Sequence, residues 1–205
     1  MSIQFKYQKH LKALALVILI GCGKRNFFPD QDDPGLSLLT SRGYNIATMY
    51  INQEAYINPS RHLLLGGIAN TLPTVILRQT SGVSDTLDIS WEIEKNEASP
   101  SFNQPYHLIS LLLPVSKTFT SRDFTAMSGK RFSSNSQAIA LNSDYNFALT
   151  GISNVYFIDV NYSGASANTP GSYHFSGLFN GNIGDSIVIT KGRFDFTISA
   201  DAIHF

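Results

Sequence analysis

The sequence predicts an all-β protein, an antiparallel β-sandwich or partly open barrel, carried behind an N-terminal address segment and a flexible tether. Three observations lead there. Apolar and polar residues alternate along several stretches after residue 35. The clearest stretch sets Leu87, Ile89, Trp91 and Ile93 against Asp88, Ser90, Glu92 and Glu94, the period-two pattern of a strand with one buried face. Charged residues make up 15% of the chain against about 25% in ordinary globular proteins, and Ser, Thr, Asn and aromatic residues take their place. No segment beyond residue 35 shows a sustained helical period.

The chain opens with Lys6, Lys9 and Lys12, followed by the apolar run Ala13-Leu14-Ala15-Leu16-Val17-Ile18-Leu19-Ile20. A positive region, a short apolar core and a small residue form the grammar of a secretory signal. A membrane-spanning helix needs about 20 apolar residues. This run is shorter, and Lys24 and Arg25 close it. Cys22 is the only cysteine, so no intrachain disulfide is open to it in an oxidising compartment.

Leu19-Ile20-Gly21-Cys22 resembles the lipobox of bacterial lipoproteins. The resemblance implies cleavage between Gly21 and Cys22, a diacylglyceryl group on the Cys22 thiol, and further acylation by a fatty acid such as palmitate. Two or three acyl chains anchor stably where one does not, since each buried CH2 contributes about 0.8 kcal/mol. The implied location is the cell envelope. Gly23 stands where the family's sorting rule places an Asp for inner-membrane retention, which favours the outer membrane, on its periplasmic or surface face. Residues 1–21 are thus expected as the signal peptide, 22–35 as a lipidated tether and 36–205 as one β-domain.

The tether contains Asp30, Asp32, Asp33, Pro34 and Gly35. Gly35 is sixth from Asp30, as in a calcium loop, but the twelfth position is Ser41 rather than Glu and Pro34 intrudes. A solvated acidic spacer is the expectation. The strands then follow in order: Ile46 to Asn52, Thr74 to Gln79, Thr86 to Glu94, Tyr106 to Leu113, Asn154 to Tyr162 and Tyr173 to Phe179. The last two, Ser186 to Thr190 and Arg193 to Ser199, are expected to join through a hairpin at Lys191-Gly192. In the final strand Phe194, Phe196 and Ile198 are expected inside, and Arg193, Asp195 and Thr197 outside. Ala47 to Tyr56 weakly echoes Phe124 to Phe132, each reading as strand, polar turn and aromatic. Two hairpins obeying the same turn rules, rather than duplicated halves, are the favoured account.

Gly43-Tyr44-Asn45 and the hairpin ending at Tyr56 resemble the opening of small Gram-negative lipoproteins. Their usual ending is matched by Gly171-Ser172-Tyr173 and by Ile189-Thr190-Lys191-Gly192-Arg193-Phe194-Asp195. Asn52-Gln53-Glu54 departs from the Asn-Gly-Lys turn that those proteins favour. The resemblance covers the two ends of the domain and implies location and fold, without catalytic residues.

Chemistry is sparse. His62, His107, His174 and His204 lack metal-ligand spacing, no cofactor motif is present, and no Gly-x-Ser-x-Gly elbow exists. Ser163-Gly164-Ala165-Ser166 reads as a loop. Asp88 and Glu92 lie about 13 Å apart along one strand, too far for a glycosidase pair. Glu92 and Glu94 fall in range, but alternating charge marks any solvated sheet face. Without residues 1–21 the chain carries twelve Lys and Arg against fifteen Asp and Glu, which speaks against nucleic acid as a partner. Tyr156, Tyr162 and Tyr173 form the candidate binding surface, for a glycan or an envelope protein, although burial is the commoner fate of such rings. The expected function is a lipid-anchored, non-enzymatic binding or structural module whose partner is the membrane. A glycan hydrolase with loop-borne carboxylates and an adhesin or filament subunit using β-strand addition are the alternatives.

Overall fold

The computed structural model describes residues 29–58, 60–62, 68–70, 72–96, 107–132, 138–142, 148–166 and 170–204. Gly21, Cys22 and Tyr106 lie outside them. In chain order the strands are β1 (Ile46–Ile51), β2 (Glu54–Ile57), β3 (Ser60–His62), β4 (Ile68–Asn70), β5 (Thr74–Arg78), β6 (Asp85–Lys95) and β7 (His107–Val115). There follow α1 (Ser121–Thr125), β8 (Arg131–Phe132), β9 (Ala138–Asn142), β10 (Ala148–Ser163), β11 (Ser172–Ile183), β12 (Ile187–Ser199) and β13 (Ile203–His204).

Eight strands close an antiparallel circuit, β1-β2-β6-β7-β9-β10-β11-β12 and back to β1. The all-β expectation holds, and closure makes the architecture a barrel. β5 pairs with β6 alongside the short β2 contact, and β13 adds to β5 in parallel. Inward positions carry Trp91, Phe157, Phe175, Phe179, Phe194 and Phe196, all fully buried. The Trp91 ring lies 5.5 Å from Phe196 and 5.6 Å from Phe179, and Phe175 lies 6.1 Å from Phe194. Rings at these spacings gain edge-to-face and tilted contacts and fill an eight-stranded barrel, whose bore is just wide enough for side chains.

Two bulges decide which side chains face in. Lys191 has φ +50°, and the registers with both β1 and β11 shift beside it. An extra residue here switches the inward phase from Ile189 to Phe194, Phe196 and Ile198. The expected hairpin at Lys191-Gly192 is therefore a bulge inside one continuous strand, and the true hairpin turn is Gly184 to Ser186. The second bulge lies at Ile158, where Phe157 pairs with Gly177 but Asp159 with Ser176. Val155 and Phe157 face the core before it and Val160 after it, so the alternating row from Tyr156 to Tyr162 is broken.

The segment after β7 supplies the one α-helix among the described residues. The Asp123 carboxylate accepts from the Thr120 N–H at 2.9 Å and its hydroxyl at 2.8 Å, which ties down the first turn. Phe124 and Met127 are buried in the core, with the Phe124 ring 5.6 Å from both Tyr173 and Phe175. Five residues are too few for a 3.6-residue period to show in sequence. This helix also removes the echo with β1 and β2, because Phe124 and Thr125 are helical rather than strand.

Candidate functional site

The segment 29–45 crosses the outer wall of the barrel as a strap. It covers the outward faces of β12 and β1, so the expected solvated positions Arg193 and Asp195 are 8% and 2% exposed. Leu36 and Ile46 are buried outside the barrel's own core cluster, which gives the strap a small apolar seat. The Pro29–Ser37 bridge and the Asp30 N–H to Leu36 carbonyl bond fold its first part into a closed turn.

Charge fastens this turn. Arg193 donates from Nη1 to Asp30 at 2.6 Å and to the Ser37 carbonyl at 2.7 Å, and from Nη2 to Asp33. Lys191, swung outward at the bulge, pairs with the other Asp33 oxygen. The fork of the guanidinium suits acceptors spread in this way. The Arg193 hydrogen bond holds the Asp30 carboxyl below its usual range, and the Lys191 bond does the same for Asp33. The acidic stretch is thus bound to the barrel and is not a solvated spacer. The folded domain already includes Pro29, upstream of the expected boundary at Leu36.

Asp195 fastens the second part. Its Oδ2 accepts from the Thr40 hydroxyl and from the Arg42 and Tyr44 N–H groups at 3.1 and 3.4 Å. Its Oδ1 accepts from the Gly43 N–H at 2.7 Å and lies 2.8 Å from His174 Nε2. Successive backbone N–H groups around an anion form a nest, here with Gly43 at φ +71°. Burial pushes the Asp195 carboxyl up, but His174, Thr40 and the nest outweigh it and leave it below the ordinary range. Asn45 completes the fastening, since its Oδ1 accepts from the Thr197 N–H at 2.7 Å and its carbonyl from Asn58 at 2.9 Å.

These contacts bring together residues from the two ends of the described domain. Gly43 and Asn45 meet Asp195 and Thr197 on the outer face of β12. A Cβ at Gly43 would sit 1.9 Å from Thr197 Oγ1, so both conformation and space require glycine. Sequence periodicity had no access to this assembly, because it marks β12's outer face only as polar.

Beside the strap lies an open groove of about 570 Å³, lined by Leu38, Leu39, Thr40, Ser41, Arg42, Tyr44 and Ile158. Leu38 and Leu39 are 46% and 40% exposed. Ile158 reaches the groove as the outward residue after inward Phe157, at the β10 bulge. A second open groove, about 660 Å³, runs along Asn154, Asn180 and Asn182 with exposed Ile152 and Val188 at its edge.

The three candidate tyrosines do not share a surface. Tyr156 is outward and half-buried with the Arg131 guanidinium 4.7 Å over its ring. Tyr173 is buried against Phe124, and Tyr162 is exposed at the strand end with its ring 5.0 Å from Tyr173. Asp88 is buried rather than solvated, with Oδ2 bonded to Arg78 Nε at 2.8 Å. Glu92 and Glu94 are half-buried on the same strand.

His174 lies on β11 between two carboxylates, with Nδ1 4.0 Å from Asp159 and Nε2 on Asp195. Ser176, two residues along, pairs in register with both Asp159 and Asp195. Its hydroxyl is buried with no protein hydrogen-bond partner. Both imidazole nitrogens face carboxylates, so neither is placed to take the Ser176 proton, as nucleophilic catalysis requires. His107 lies on β7, 6.3 Å from the Tyr56 ring. The side chains of His62 and His204 lie outside the described set. Among the described residues no three His, Cys, Asp or Glu side chains gather as a metal site. No protein-family model, curated protein or solved structure matches the chain.

Proposed function

We propose that this chain is a lipid-anchored, non-enzymatic binding or structural module of the cell envelope, held to the outer membrane through Cys22. The observation that carries the reading is the strap. Asp30, Asp33 and Gly43, which lie a short stretch of sequence after the lipobox-like Leu19-Ile20-Gly21-Cys22, are fastened along the barrel by Arg193, Lys191 and Asp195, which fits a domain mounted by its N-terminal side. A non-enzymatic role is supported by the ties of the buried carboxylates. Asp33, Asp85, Asp88 and Asp195 each bond a cation, a histidine or backbone N–H groups, the engagement of structural rather than reactive groups.

The test is metabolic labelling with a fatty-acid analogue in a Gram-negative host. The wild-type chain should take up label and fractionate with membranes, and Cys22→Ala should lose both. Equal labelling and membrane attachment of Cys22→Ala would overturn the reading.

A further inference from the structure

We propose that the groove at Leu38, Leu39, Tyr44 and Ile158 is the face that rests on the bilayer carrying the anchor. The inference builds on the lipoprotein reading above and adds which side of the barrel meets the lipid. The first ground is where the chain leaves the fold. Pro29 pairs with Ser37, so the exit toward Cys22 lies beside Leu38 and Leu39. From Cys22 to Pro29 is a span of seven residues. Fully extended, it reaches at most about 25 Å at 3.3–3.6 Å per residue, so an anchored Cys22 keeps this wall of the barrel close to the membrane.

The chemistry of the wall is the second ground. Leu38 and Leu39 are 46% and 40% exposed and adjacent, next to Ile158 and Tyr44, whereas the other exposed leucines among the described residues, Leu72, Leu108 and Leu178, stand apart from one another in the sequence. Arg42 lines the same groove and is exposed. In sequence, Lys24 and Arg25 precede Phe27 and Phe28, which run directly into Pro29. Apolar and aromatic side chains beside cations suit an interface whose acyl region lies under anionic headgroups. Groups that snorkel, such as Arg42, keep the charge in the headgroup layer while their stems lie on the apolar side. A depth of a few ångströms satisfies the exposed leucines without moving the strap.

The test uses the full, lipid-modified chain reconstituted in vesicles of phosphatidylethanolamine and phosphatidylglycerol. A fluorophore is attached at Ser41→Cys, in the groove, or at Leu108→Cys on the outer face of β7, four strands around the barrel from β12. Nitroxide lipids with the label near the headgroup serve as quenchers. The expected result is at least threefold stronger quenching at Ser41→Cys than at Leu108→Cys. Adding Leu38→Asp and Leu39→Asp should bring the groove label down to the Leu108 level with acylation unchanged. Equal quenching at the two sites on acylated protein would overturn the orientation and leave the lipoprotein reading intact. Filling of the groove by Phe27 and Phe28 would also overturn it, and would show as weak lipid quenching that rises in Phe27→Ser with Phe28→Ser. Failure of the underlying reading shows separately, since an unmodified Cys22 would itself take up the maleimide fluorophore in the wild-type chain.

Discussion

Replacing Asp195 with Asn isolates the contribution of the nest. The substitution keeps shape and volume but removes the charge and turns one acceptor oxygen into a donor NH2. Whichever way the amide sits, it faces either Thr40, Arg42 and Tyr44 or Gly43 and His174 with the wrong polarity. The less costly choice turns the NH2 toward Gly43 and His174, where the imidazole can change tautomer and accept from it, so the Gly43 N–H is left unpaired at about 1–3 kcal/mol. A loss of about 3 kcal/mol is therefore expected, concentrated in the strap because Gly43 loses its acceptor and the bonds from Thr40, Arg42 and Tyr44 lose the charge that strengthens them. Amide hydrogen exchange reads the effect directly, since the Arg42, Gly43 and Tyr44 N–H groups are the bonded protons. At 1.4 kcal/mol per factor of ten, their local opening should rise on the order of 100-fold. The Leu36 N–H, bonded to the Asp33 carbonyl at 3.0 Å, should keep most of its protection because Arg193 still holds that turn. Fluorescence of Trp91, the sole tryptophan and 1% exposed, checks that the barrel stays folded. If residues 42–44 exchanged within threefold of the wild-type rate in a folded barrel, the nest would not be what secures the strap.

Gly43→Ala should destabilise the domain by at least about 1–2 kcal/mol, from the left-handed φ alone, with more from the Thr197 clash. Urea titration followed at Trp91 measures it, and a cost below about 0.5 kcal/mol would contradict the geometry. Acid should free the strap before it unfolds the barrel. Asp30, Asp33 and Asp195 have folded-state pKa values lowered from 3.8, so their contribution is complete above that value and is lost as pH falls through the lowered ones. Lys191 is raised from 10.5, so its contribution is complete below 10.5 and is lost as pH rises through the higher value. Limited proteolysis should therefore leave the strap intact from about pH 5 to 10 and cut it first in strong acid. Strap cleavage that stayed unchanged as pH fell from 7 until the barrel itself unfolded would refute the ionic fastening.

What could be read from sequence was the inward face of each strand between bulges. Leu87, Ile89, Trp91 and Ile93 alternate without interruption, and all four are buried as expected. Phe194, Phe196 and Ile198 are likewise inside. The alternation rule fails where one residue is added, at Lys191 and Ile158, because a bulge resets the phase without any breaker residue beyond Gly192 to announce it. Closure into a barrel depends on β6 meeting β7 and β12 meeting β1, pairings that local periodicity does not encode. The outward residues of β12 looked solvated for a related reason. Arg193 and Asp195 find their partners across the chain, and a polar residue reads alike in sequence whether water or a strap covers it.

The separation of those partners sets an order of events during synthesis. Gly43 and Asp195 are 152 residues apart, and Asp30 and Arg193 are 163 apart. The strap has nothing to bind until β12 has been made, so for most of the chain's synthesis residues 30–44 lack the partners that fasten them. β12 thus acts as a latch in time as well as in space, closing on residues 30–44 only once it has itself been made.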